Sequence, residues 1–157
     1  MSQVPMTTAG KNRLEEELKR LKTLDRPAVI TAIATARAHG DLSENAEYDA
    51  AKEKQAFIEG RIQDIEDKLA RAHVIEPKDI RSDKIVFGAT VELKDTATDE
   101  TKVYFIVGSD ESDIKEGKIS IESPVARQLL NRKAGDCVMV RVPKGEIEYE
   151  ILNIKYE

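Results

Sequence analysis

Between residues 43 and 72 the seam positions Tyr48, Ala51, Gln55, Ile58, Ile62, Ile65, Leu69 and Ala72 follow one another at alternating steps of three and four. That is the spacing of a heptad seam, so the segment is predicted to be one helix packed against another along a narrow stripe. A helix from about Ser43 to Ala72 measures about 45 Å at 1.5 Å per residue, more than a compact domain of this size needs, and is expected to project. An earlier stripe, Leu14, Leu18, Leu21 and Leu24, is followed after Asp25-Arg26-Pro27 by Ile30, Ile33 and Arg37. The phase slips at Pro27, where a missing backbone donor predicts a kink rather than an end. Pairing the two stripes antiparallel sets Ile33 near Ala51, Leu21 near Ile62 and Leu14 near Leu69. The product is a helical hairpin with its tip at residues 39–47.

Beyond the boundary near Glu76-Pro77-Lys78-Asp79 the pattern changes. Short runs rich in Val and Ile alternate with Gly and Pro, and predict strands over 85–93, 103–107, 118–121, 137–142 and 146–154, with a short helix over 124–130. The chain is therefore expected to be α+β. Residues 1–76 form a coiled-coil hairpin, and residues 77–157 form an antiparallel sheet with a helix on one face.

Composition sharpens this division. Of the residues from 8 to 76, 39 are Ala, Glu, Lys, Leu or Arg, above the roughly 50% typical of long helices. Aromatic residues make up 4% of the 157-residue chain, with none before Tyr48, too few for a platform that stacks single-stranded bases. The net charge of −5 argues against a nucleic-acid coat held by counterion release. One cysteine, Cys137, excludes an internal disulfide framework and reads as a small core residue. The opening residues lack the basic and apolar regions of a signal peptide, and no apolar run approaches the roughly 18 residues that span a bilayer. A cytoplasmic protein without membrane contact is expected. No phosphate-cradling Gly-rich loop, Ser-His-Asp set or Cys-x-x-Cys pair appears, so the second half should bind rather than catalyse.

The chemistry concentrates at the predicted tip, Gly40-Asp41-Leu42-Ser43-Glu44-Asn45-Ala46-Glu47. Asp41 and Glu44 have the spacing of a capping box, with Asp in the place of Ser or Thr. The same spacing places two carboxylates about 5–6 Å apart at Cβ, close enough to converge on one hard cation. Two exposed carboxylates hold Mg²⁺ weakly, so as a metal site the pair makes sense as half of one completed by another macromolecule. Both readings stand, and they can coexist. His39 suits the negative end of a helix dipole better than a metal ligand, since no second His or Cys is near in sequence. Arg37 and Lys52 flank the tip, either as an ordinary solvated pair or as a small basic patch for a phosphate. A self-contained hydrolase built on His39, Asp41 and Glu44 is disfavoured, because an exposed tip has no wall to exclude water or orient a substrate.

The runs Arg26-Pro27, Ala36 to Tyr48, Arg61-Ile62 and Ala72 to Ile75 resemble the GreA/GreB family of bacterial transcript cleavage factors. In the second half Val86 to Val91, Ile106-Val107-Gly108 and Ile121 to Arg127 agree as well. The resemblance covers nearly the whole chain and is closer to the GreA type, since only Arg37 and Lys52 match a small basic patch on the arm. It implies an FKBP-like C-terminal domain that docks on the rim of the RNA polymerase secondary channel, with Glu122, Ser123 and Pro124 at the contact. It also implies a coiled coil inserted into that channel, with Asp41 and Glu44 as accessory ligands for the second catalytic Mg²⁺ of polymerase. Polymerase itself then hydrolyses the 3′ end of backtracked RNA, releasing fragments of two or three nucleotides. By this resemblance the chain is no enzyme and carries no cofactor or metal of its own. It is a monomer, and its partners are bacterial RNA polymerase, the backtracked RNA 3′ end and the DNA of the elongation complex. The alternatives are a regulator that occupies the channel without promoting cleavage, and a bare coiled-coil adaptor.

Overall fold

The structure is a computed structural model that describes residues 2–40 and 45–157. The chain divides into two compact units: residues 11–72 with Ser2, and residues 3–10 with residues 73–157. The sequence boundary at 76/77 does not include this assignment of the N-terminal residues. They join the second unit because β1 (Val4–Thr7) pairs with β2 (Ala72–Ile75), two short strands absent from the sequence pattern.

In the first unit α1 (Thr8–Arg20) runs through a π-helical turn, Leu21–Asp25, into α2 (Arg26–Arg37). Pro27 has no N–H for the carbonyl four residues back, and its ring crowds that carbonyl. The ladder widens just before it, with the Arg26 N–H donating to the Leu21 carbonyl, an i−5 bond. The helix continues through the proline, as the phase slip predicts, but the irregularity is one extra residue in a wider turn. This insertion corrects the predicted stripe. Leu14, Leu21, Val29, Ile33 and Ala36 are buried, whereas Leu24 and Ile30 are 62% and 53% exposed. Past the π turn the buried position lies one residue earlier than the one read from Ile30.

The partner helix α3 (Ala46–Ala70) follows its heptad reading closely. Ala51, Ile58, Ile62 and Ile65 are buried, and Tyr48, Gln55 and Leu69 are half-buried. At 25 residues it is about 37 Å long. Antiparallel pairing is fixed on the flanks by ion pairs between the helices. Arg61 Nε and Nη2 donate to the two Glu17 carboxylate oxygens at 2.6 and 2.8 Å. Arg26 donates in the same forked way to Glu59, both bonds 2.8 Å, and Lys22 reaches Glu66 at 3.3 Å. The Arg61 hydrogen bonds hold the Glu17 carboxyl below the usual glutamate range, and the Arg26 hydrogen bonds do the same to Glu59.

In the second unit five strands stand in the order β5-β4-β3-β7-β6: β3 (Thr90–Asp95), β4 (Thr101–Val107), β5 (Lys118–Ser120), β6 (Cys137–Val142) and β7 (Gly145–Lys155). Three pairings are antiparallel, and β4–β5 is parallel, reached by a crossover over residues 108–117. That one parallel pair departs from the wholly antiparallel sheet expected. The short helix α4 (Pro124–Leu129) buries Ala126 and Leu129 against a core that includes Ile85, Val91, Leu93, Ile106, Val138, Val140 and Ile151. Residues 85–89, expected as strand, form a turn that contributes Ile85 and Ala89 to this core. Cys137 is exposed, which corrects its reading as a core residue. On the edge strand β6 the inward positions are Val138 and Val140, so strict alternation turns Cys137 outward.

A group whose folded pKa is depressed stabilises the fold above its unfolded pKa, and that contribution disappears as pH falls through the folded value. The helical hairpin is therefore expected to lose stability as pH drops from the ordinary glutamate range downward. A Glu17→Gln/Glu59→Gln protein should melt roughly 2–5 °C lower than wild type at pH 7 and low salt. The gap should narrow progressively as pH falls below the ordinary glutamate range, as read by circular dichroism at 222 nm.

Candidate functional site at the open end of the hairpin

Asp41 and Glu44, the predicted acidic pair, lie outside the described residues. What the structure describes is the frame on either side of them. On the incoming side α2 ends at Arg37, the Gly40 N–H donates to the Arg37 carbonyl at 3.0 Å, and Gly40 has φ +95°, where a Cβ would be strained. On the outgoing side Asn45 is the N-cap of α3. Its side-chain oxygen accepts from the Tyr48 N–H at 3.1 Å. Its Nδ2 donates across the hairpin to the Ala36 carbonyl at 2.7 Å. One amide side chain thus satisfies an orphan N–H of one helix and a terminal carbonyl of the other, tying the two helices at the mouth. The sequence reading missed this residue, although Asn immediately before a helical run is a strong capping signal.

Around this clamp the side chains pair across the hairpin. His39 Nε2 lies 3.1 Å from the Glu47 carboxylate, both exposed, so His39 faces a carboxylate as well as its own helix end. The Arg37 guanidinium sits over the Tyr48 ring at 5.9 Å from the centroid, within cation–π range. Tyr48, read only as a seam position, therefore also orients a cation.

Arg37 and Lys52 line one shallow groove together with Ile30, Ile33 and Ala34 of α2 and Gln55 of α3. Lys52 Nζ donates to Gln55 Oε1 at 3.2 Å. A groove lined by apolar side chains and by one cation from each helix suits a phosphate-bearing chain better than a metal. Among the described residues no group of three His, Cys, Asp or Glu side chains is placed to hold a metal ion.

The remaining predicted contact residues stand at the start of α4. Ser123 caps that helix, accepting from the Ala126 N–H at 3.2 Å, and Pro124 occupies its first turn. Glu122 is exposed and accepts from the Ser109 hydroxyl at 3.1 Å. Folding thus explains Ser123 and Pro124 locally, while the Glu122 carboxylate is held at the surface.

Two family patterns cover the chain. "Transcription elongation factor, N-terminal" matches residues 4–74, and "Transcription elongation factor, GreA/GreB, C-term" matches residues 80–156. The chain belongs to the GreA/GreB family of transcription elongation factors. It is 59% identical to transcription elongation factor GreA of Trichlorobacter lovleyi, over 98% of both chains. It is 57% identical to GreA of Halorhodospira halophila over the whole of both, and 56% identical to GreA of Maricaulis maris over 99% of both. The fold is α+β, with the helical hairpin and the sheet unit expected from the sequence. Among the described residues no helix is long and apolar enough to cross a membrane.

Asn45 is expected to stabilise the hairpin by two separable contacts. Asn45→Ala should cost about 1 kcal/mol in chemical denaturation. Asn45→Asp keeps the cap but replaces the Nδ2 donor to Ala36 with an acceptor, and should recover only part of that loss.

Proposed function

We propose that this GreA/GreB-family chain is an accessory factor of bacterial RNA polymerase, acting in the cytoplasm as a monomer. Its helical hairpin enters the polymerase secondary channel, and the turn at Glu122, Ser123 and Pro124 docks on the rim. The observation that carries this reading is the shared groove of Arg37 and Lys52. It lies in the same hairpin, a few residues from the acids Asp41 and Glu44 in sequence. The two cations contact the phosphates of the extruded RNA 3′ end, and the two carboxylates meet the polymerase active centre.

Asp41 and Glu44 are oxygen donors, the ligand class that Mg²⁺ prefers, and two carboxylates are the usual protein share of such a site. They serve the second Mg²⁺ of polymerase, the ion that stabilises charge in phosphodiester hydrolysis. The chain holds no cofactor of its own and hydrolyses nothing alone. It promotes cleavage of backtracked RNA by polymerase, with release of fragments of two or three nucleotides, and so rescues arrested elongation complexes. The DNA is met only within the elongation complex.

A backtracked elongation complex incubated with Mg²⁺ and the factor tests this directly. Wild-type protein should accelerate shortening of the RNA. Asp41→Ala or Glu44→Ala should reduce the stimulated rate by roughly 100-fold, the scale of losing a group that stabilises charge in the transition state. Arg37→Ala/Lys52→Ala should raise the factor concentration needed for half-maximal cleavage by roughly tenfold. Competition for polymerase without RNA shortening by wild-type protein would mark a binding-only regulator instead.

A further inference from the structure

Ile30 lies beside the buried stripe of α2 and is 53% exposed, whereas Val29 and Ile33 are buried. A single exposed aliphatic side chain carries no meaning by itself, but this one lines the groove of Arg37 and Lys52. Ile33, Ala34 and Arg37 follow Ile30 by three, four and seven residues, so the four form one stripe along α2, apolar at one end and cationic at the other. Ile30 and Arg37 stand two turns apart, about 10 Å along the helix axis. The groove has a volume of about 390 Å³, within the range of sites that take one small organic molecule.

The positive charge in this groove is available to a ligand. Lys22, Arg26 and Arg61, the cations that join the two helices elsewhere, each rest on a carboxylate. Among the described residues the groove cations have neutral partners instead: Arg37 lies over the Tyr48 ring, and Lys52 donates to the Gln55 amide oxygen. None of the described residues that line the groove is acidic. Two cations with an exposed aliphatic side chain beside them match an anion that also carries a flat apolar surface. A nucleotide of single-stranded RNA has both, a phosphate and a base whose face is open in every sequence.

Resting on the function proposed above, we infer that Ile30 is a contact residue for the bases of the extruded RNA. Arg37 and Lys52 hold phosphate, and the Ile30 side chain packs against the base of a nucleotide in the same groove. The contact is apolar and makes no hydrogen bond. It therefore favours a purine over a pyrimidine by the larger face, and does not distinguish adenine from guanine.

The test compares the full-length wild-type chain with Ile30→Ser and with Ile30→Leu as the conservative control. The half-saturating factor concentration for cleavage is measured on two backtracked complexes, one with ordinary extruded RNA and one whose extruded nucleotides are abasic. Competition against labelled wild-type factor reads affinity for a complex that is not backtracked. On ordinary RNA, Ile30→Ser should raise the half-saturating concentration about fivefold, the effect of uncovering part of one aliphatic side chain, with the saturating rate within about twofold of wild type. Ile30→Leu should stay within about twofold in both. Abasic RNA should weaken wild type until it coincides with Ile30→Ser, and the two should bind the complex that is not backtracked equally well. The inference is overturned if Ile30→Ser costs nothing on ordinary RNA, or if its loss persists on abasic RNA. An equal loss on the complex that is not backtracked also overturns it, and makes Ile30 a polymerase contact. Failure of wild-type protein to stimulate cleavage of ordinary RNA overturns the functional reading beneath, and this inference with it.

Discussion

The narrow seam between α2 and α3 is the constraint on which the candidate site depends. Each buried Ile in it contributes about 1.5–3 kcal/mol, whereas exposed ion pairs on the flanks contribute little each. The seam therefore supplies the stability, and the forked Arg26–Glu59 and Arg61–Glu17 pairs supply the register. Sliding one helix by a turn would break both forks at once. With that register set, the Asn45 side chain meets the Ala36 carbonyl, and Arg37 meets both the Tyr48 ring and the groove that it shares with Lys52. Away from Tyr48 at its open end, a narrow seam of Ala, Val, Ile and Leu leaves little room for rings, which accounts for an aromatic-poor first half, and exposed flanks need charge.

The second unit obeys a different rule. Its sheet is covered on one side by α4, so inward strand positions are uniformly apolar and outward ones are free to vary. The outward freedom explains how Cys137 can occupy a strand that reads as apolar and still face solvent. The parallel β4–β5 pair requires the crossover over residues 108–117, and that crossover carries Glu111 inward to the N-terminal strand. Residues distant by about a hundred positions are thereby joined by hydrogen bonds that no local pattern announces.

Much of this was legible because the physics is local or periodic. The α3 seam, the strand Cys137–Val142 and the cap and proline that start α4 depend on spacing or on one residue's backbone preference, and a single chain displays both. The motif that named the family is a run of consecutive residues, Gly40 to Tyr48, legible for the same reason. The stripe on α1 and α2 was misread after Pro27 because a π turn adds one residue to the helical count. Leu24 and Ile30 have the hydrophobicity of seam residues without their position.

The sequence by itself determined the two kinds of architecture, the hairpin's pairing partner and the family. These follow from periodicity, composition and contiguous motif. Only the tertiary structure decided that residues 3–10 join the second unit, that Arg37 and Lys52 line one groove and that Asn45 ties two helix ends. It alone placed Glu111 beneath Thr7. Those outcomes are meetings between residues far apart along the chain, fixed by packing and by the need of buried polar groups for partners, and that need has no signature at any single position.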